Sequence, residues 1–81
     1  MKITVRLFAI ARERAGVGEV ALEVAEAATV AAAAEAVVRQ FPSIAELMPR
    51  VAFAVNREYA PLTARLNEGD EVAVIPPVSG G

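Results

Sequence analysis

The sequence predicts an α+β fold: a mixed sheet of four or five strands, covered on one face by one main helix. Segments that alternate apolar and polar residues, as half-buried strands do, occur near both ends of the chain, at residues 2–8 and 71–75. One alanine-rich segment, residues 29–41, repeats its apolar residues at helical spacing. The length of 81 residues allows one domain only.

The first three elements are predicted to be a strand, a short helix and a second strand. Residues 2–8 form the first strand, and residues 9–15 form one or two helical turns that Gly16 ends. Residues 19–24 form the second strand, whose outward glutamates suit a solvated edge. The inward side chains are Ile3, Val5 and Leu7 in the first strand and Val20, Leu22 and Val24 in the second.

The main helix is predicted to begin after Thr29, a favourable N-cap, and to end before Pro42. Its alanines favour the helix and let it lie close to the sheet. The side chains on its apolar face are Val30, Ala33, Ala34, Val37 and Phe41. After the helix, a capping box of Ser43 and Glu46 predicts a short turn that ends before Pro49.

The C-terminal half is predicted to complete the sheet. Residues 51–55 form a third strand, residues 57–61 form a short fourth one, and residues 71–75 form the last. A tight turn at residues 67–70 leads into the last strand, and Gly69 serves that turn because glycine tolerates positive φ. The predicted order is therefore β, β, α, β, short β, β.

Composition excludes several kinds of chemistry. The chain has no cysteine, so it has no disulfide, thiolate nucleophile or persulfide. It has no histidine, the commonest transition-metal ligand and general base, and we expect no metal site. The net charge of −2 and the absence of a basic block predict neither nucleic acid nor membrane as a partner. No signal peptide is recognisable, so we expect a cytoplasmic protein.

The alternation also predicts an apolar patch on the sheet face away from the helix. Its expected members are Phe8, Ala52, Ala54, Ala73 and Ile75. Because one helix covers only one face of a sheet, this patch is interpreted as a docking surface for a partner. The alternative is the ordinary exposed apolar area that every protein has.

The last six residues, PPVSGG, differ from the rest of the chain. Pro76 and Pro77 end the last strand and hold the chain extended, while Gly80 and Gly81 form a tip without side chains. The only reactive group of this tail is its C-terminal carboxylate, which needs activation because the anion is a poor electrophile. No Gly-rich phosphate loop is present, so another enzyme must activate it. The alternative is an unstructured terminus or a truncation scar.

Two motifs, VRLFAIARERAG at residues 5–16 and LNEGDEVAVIPPVSGG at residues 66–81, carry a resemblance across the whole chain. Together they resemble the small subunit of molybdopterin synthase, a ubiquitin-like sulfur carrier. The resemblance implies a β-grasp domain over residues 1–75 and an extended Gly-Gly tail over residues 76–81.

The resemblance further implies a mechanism in which the chain carries sulfur and is not catalytic alone. An E1-like enzyme would adenylate Gly81 with ATP, and a sulfur donor protein would supply the sulfur of a terminal thiocarboxylate. The large subunit would then transfer this sulfur to a cyclic pyranopterin precursor, in a heterotetramer of two small and two large subunits. No cofactor is expected on the carrier itself.

Site residues follow from the resemblance by position. Phe8, Tyr59 and Ile75 would contact the large subunit beside Pro76 and Pro77, although the family often has an aromatic residue at position 75. The residues that would thread its active site are Val78, Ser79, Gly80 and Gly81. Two other functions stay open: a sulfur carrier for thiamine or tungsten-pterin synthesis, and a ubiquitin-like modifier of target proteins.

Overall fold

A computed structural model describes residues 1–77 of the chain. It contains five strands, two α-helices and one 3-10 segment, so the predicted α+β class is confirmed. In chain order the elements are β1 (Lys2–Leu7), α1 (Ala9–Ala15), β2 (Glu19–Glu23), α2 (Val30–Gln40), the 3-10 segment (Pro42–Arg50), β3 (Ala52–Val55), β4 (Glu58–Tyr59) and β5 (Glu71–Ile75).

The five strands form one mixed sheet in the order β2-β1-β5-β3-β4. The first and last strands of the chain, β1 and β5, are parallel neighbours at its centre, with Val5 beside Val72 and Leu7 beside Val74. The other three pairings are antiparallel. The chain therefore ends its last strand in the middle of the sheet.

The core lies between the sheet and the helices, on one face only. The inward residues of β1 and β5 are at most 2% exposed, as the alternation predicts. Helix α2 buries its predicted stripe against them through Val30, Ala33 and Val37. Full burial of one such valine, leucine or isoleucine contributes about 1.5–3 kcal/mol. Ile44 of the 3-10 segment and Leu66 belong to the same core.

The predicted start of α2 and the predicted end of α1 are confirmed. The Thr29 hydroxyl oxygen accepts a hydrogen bond from the backbone N–H of Ala32 at 3.3 Å, as an N-cap does. Gly16 ends α1 with φ 81°, and its N–H donates to the carbonyl of Arg12 at 2.9 Å. This left-handed conformation is the one that glycine adopts at least cost.

The predicted capping box at Ser43 and Glu46 is wrong. The Ser43 hydroxyl donates to the carbonyl oxygen of Arg14 at 3.0 Å, and the Glu46 carboxylate accepts from Arg14 Nη1 at 2.6 Å. Both side chains thus bind α1, a long-range contact that a local sequence motif does not contain. The 3-10 segment also continues through Pro49 to Arg50 instead of ending before the proline.

The β3–β4 hairpin is tighter than the sequence predicts. Strand β3 begins at Ala52, and β4 has only two residues, where residues 51–55 and 57–61 were expected. Between them Asn56 and Arg57 form a two-residue turn with φ values of 50° and 72°. Because both values are positive, the turn is of type I′, which matches the twist of the flanking strands.

A buried carboxylate fastens this turn to the start of β5. Asp70 Oδ1 accepts from the Asn56 side-chain amide at 2.9 Å, and Oδ2 accepts from the Asn67 backbone N–H at 2.7 Å. Asn56 in turn accepts from the backbone N–H of Glu71 at 3.0 Å. Gly69, at φ 83°, makes the predicted turn just before this network. The network therefore fixes where β5 enters the sheet.

We expect Asp70→Ala to lower the free energy of unfolding by about 1–3 kcal/mol, because it leaves the Asn67 N–H and the Asn56 amide without their acceptor. Glu13→Ala, on the exposed face of α1, is the control and should change it by less than about 0.5 kcal/mol. Urea unfolding of both variants measures the difference. Equal losses in the two variants would contradict the proposed role of the network.

Candidate partner-docking site

The second face of the sheet carries a row of side chains that crosses four strands. Strand register places Arg6 of β1 beside Ala73 of β5, Ala73 beside Ala54 of β3, and Ala54 beside Tyr59 of β4. Two alanines thus occupy the centre of the row, with a long side chain at each end. The row is lower in the middle than at its ends.

A shallow groove of about 290 Å³ follows from this arrangement. Phe8 lies two residues beyond Arg6, and Ile75 lies two residues beyond Ala73, so the groove brings together Phe8, Tyr59 and Ile75. These are the three residues that the resemblance assigns to partner contact. The full lining is Arg6, Phe8, Ala54, Arg57, Tyr59, Glu71, Ala73 and Ile75.

The side chains around the groove are available for contact to different degrees. Phe8 is 39% exposed and Tyr59 is 78% exposed. Ile75 is half-buried and Ala54 is buried in the floor. Ala52 is exposed but borders a different groove. Four of the five residues predicted for the apolar patch therefore line one surface.

The two prolines that follow β5 differ in burial. Pro76 is buried and so offers little surface to a partner, whereas Pro77 is exposed. The four residues predicted to enter a partner's active site, Val78, Ser79, Gly80 and Gly81, lie outside the described residues. β5 ends beside the groove, so the chain leaves the sheet next to the apolar surface.

Arg6 is a member of this surface that sequence reasoning did not select. Its guanidinium carbon lies 5.5 Å from the centroid of the Phe8 ring, within the range of a cation–π contact. Its nitrogens lie 3.9 Å from a Glu19 carboxylate oxygen and 3.8 Å from one of Glu71. Arg6 therefore has two carboxylates close to its charge and also lies over the Phe8 ring. The sequence did contain a signal for this role, because Arg6 and Phe8 lie on the same face of the alternating segment.

A larger apolar groove, of about 740 Å³, lies between α2, the 3-10 segment and β3. Tyr59 of β4 and Leu62 of the loop that follows also line this groove, and Leu62 is 52% exposed. Within residues 1–77 no group of three or more acidic side chains is placed to hold a metal ion. In the same part of the chain, every helix is too short or too polar to cross a membrane.

Comparison with known proteins identifies the family. A family model described as the ThiS family matches residues 5–81. The chain belongs to the ThiS family. A similar curated protein is the molybdopterin synthase sulfur carrier subunit of Arabidopsis thaliana, 40% identical over 81 residues that cover all of this chain and 84% of the relative. The resemblance on which the sequence analysis depends is thus confirmed.

Solved structures agree with this membership of the ThiS family. SAMP1 of Haloferax volcanii superposes with a TM-score of 0.92 and 32% identity, and each chain is covered completely. One chain from a protein–protein complex of subunits 1 and 2 of molybdopterin-converting factor from Helicobacter pylori matches with a TM-score of 0.71. The match covers all of this chain and all of that chain. At 22% identity, that second likeness concerns the fold alone. The ubiquitin-like β-grasp fold implied by the resemblance is confirmed.

We expect Arg6→Met, which keeps the length of the side chain, to lower the free energy of unfolding by less than about 1 kcal/mol, because exposed ion pairs contribute little. The loss should shrink as salt is added, since screening weakens the same pairs in the unmodified chain. Urea unfolding at low and high ionic strength tests both statements. A larger loss that salt does not change would show that Arg6 acts through packing instead.

Proposed function

We propose that this ThiS-family chain is the sulfur-carrier subunit of molybdopterin synthase, with the C-terminal carboxyl group of Gly81 as the carrying group. The observation that carries the proposal is the similarity over the full length to a protein of that name, 40% identical. The Gly80-Gly81 end and the absence of cysteine agree with it, because sulfur then has only the terminal carboxyl carbon to bind.

The proposed chemistry has two activation steps. The Gly81 carboxylate attacks the α-phosphorus of ATP on a separate E1-like enzyme, giving an acyl adenylate and releasing pyrophosphate. A persulfide of a donor protein then attacks the acyl carbon and displaces AMP, which gives an acyl disulfide. A second thiol attacks the donor sulfur of this disulfide, so that the thiocarboxylate leaves and a disulfide remains on the donor. Glycine suits both steps because no side chain shields the carbonyl from attack. ATP is thus a substrate of the activating enzyme, not a cofactor of this chain.

The groove on the open sheet face is the proposed contact with the large subunit. Its apolar rim of Phe8, Tyr59 and Ile75 and its alanine floor have the character of an interface centre, where aromatic residues are enriched. β5 ends at Ile75, so a partner seated on the groove is within reach of the tail. The remaining six residues span at most about 20–22 Å when extended.

Relatives support a macromolecular partner for this chain. The Arabidopsis relative is named a subunit, and the Helicobacter pylori structure is a complex of two subunits. In our proposal the large subunit transfers the sulfur to a cyclic pyranopterin precursor, and two copies of each subunit form a heterotetramer. The cytoplasmic location expected from the sequence stays a prediction.

A second candidate function is protein modification. Haloferax volcanii SAMP1, the small archaeal modifier protein 1, shares the fold at a TM-score of 0.92 and 32% identity. A modifier uses the same acyl adenylate of Gly81 but transfers the acyl group to an amine of a target protein, so an amide bond forms and AMP leaves. A carrier for another pathway, such as thiamine or tungsten-pterin synthesis, would share the thiocarboxylate and differ in its acceptor.

We expect deletion of Gly81 to leave the fold unchanged and to abolish sulfur loading and transfer. Intact mass after incubation with an activating enzyme, ATP and a sulfur donor should show replacement of one oxygen by sulfur in the full chain only. Pterin conversion with a large subunit then tests the pathway. Conjugates of the full chain with many proteins, without pterin conversion, would favour the modifier function, and full activity of the shortened chain would overturn the tail mechanism.

We expect Ala73→Leu to fill the floor of the groove and to weaken binding to the large subunit about tenfold or more, a loss of about 1.4 kcal/mol or more. Ala21→Leu is the matched control, because Ala21 is exposed on the same sheet face but lies at the β2 edge. Calorimetric titration measures both affinities, and urea unfolding checks that both variants are folded. Equal affinities would show that the partner does not use the groove.

A further inference from the structure

Arg57 has a backbone conformation that its residue type does not favour. It is the second residue of the type I′ turn between β3 and β4, at φ 72°. Glycine is preferred at this position because a Cβ atom crowds the neighbouring carbonyl when φ is positive. Glycine at position 57 would adopt this conformation with less backbone strain. Strain retained at one position is a reason to look for a role of its side chain.

Arg57 lines the docking groove and has no carboxylate within salt-bridge distance among residues 1–77. It lines the groove with Tyr59, Ile75 and Phe8. The other arginine of the groove, Arg6, has two carboxylates within 4 Å. Arg57 forms no salt bridge with any residue in the range 1–77. The groove thus carries one exposed cation without a salt-bridge partner among the described residues, while Glu71 of the same groove pairs with Arg6.

We propose that Arg57 is a recognition residue that pairs with an acidic side chain of the large subunit when that subunit covers the groove. The inference rests on the proposed function, which supplies the partner. A cation at the edge of an apolar interface loses water on docking and favours a site with an opposite charge. The planar guanidinium matches a carboxylate in two parallel hydrogen bonds, which gives a reason for arginine in particular.

The test separates the cost of the conformation from the benefit of the charge. We expect Arg57→Gly to raise the thermal midpoint of the isolated chain by about 4–8 °C. The same change should weaken binding to the purified large subunit about tenfold at low salt, as loss of a charged hydrogen-bonded pair does. The difference in affinity should decrease as salt is added.

Two further variants act as controls. Arg57→Lys keeps the charge without the planar fork and should bind more tightly than Arg57→Gly but less tightly than the unmodified chain. Arg39→Ala removes an equal charge from the exposed surface of α2, on the other side of the sheet, and should change the affinity by less than about twofold.

Each outcome bears on the proposal. A more stable Arg57→Gly chain with weaker, salt-dependent binding supports it. Unchanged affinity in Arg57→Gly, in an assay where Phe8→Asp weakens binding, overturns the role of Arg57 and leaves the proposed function in place. A lower thermal midpoint in Arg57→Gly would show that the arginine serves the fold, and it also overturns the inference. Failure of the unmodified chain to bind the large subunit overturns the proposed function together with this inference.

Discussion

The parallel pairing of β1 with β5 determines where the docking groove lies and where the C-terminal tail begins. Parallel strands run in the same direction, so both end at the same edge of the sheet. Phe8 follows the end of β1, and its N–H donates to the carbonyl of Val74 in β5 at 3.3 Å. Residues from opposite ends of the sequence, Phe8 and Ile75, therefore meet on one surface. The tail begins at that same edge, because it continues from β5.

The placement of both helices and the 3-10 segment on one sheet face is the second constraint. On that face, apolar side chains of the sheet and of α2 pack against each other, and the buried residues form one core cluster. A small domain has too few helices to cover the other face as well. That face must therefore limit its own exposed apolar area, and the alanines at positions 54 and 73 do so. The available surface is thus a consequence of how the core is covered.

Sequence patterns predicted the parts of the structure that depend on local periodicity and on single cap residues. Alternation identified the inward residues of β1 and β5, and it placed Phe8 and Ile75 on the open face. It did not identify the true partners of Ser43 and Glu46, because both side chains bind Arg14 in another element. Pro76 also reads as the start of a free tail, although it is buried. Long-range packing decides such cases, and no short motif contains it.

Departures from local preference concentrate around the groove. Alanine is a weak strand former compared with valine, yet it occupies both central positions of the open face. Arg57 takes a turn position that suits glycine, and Ala9, directly after Phe8, has φ 49°. On the core face of β1 and β5, every side chain is isoleucine, valine or leucine. Since a sequence that specifies one fold is usually consistent at every level, these departures around the groove agree with the proposed role of that surface in binding. Ala27 also has a positive φ, 61°, but it lies away from the groove, in the turn that leads into α2.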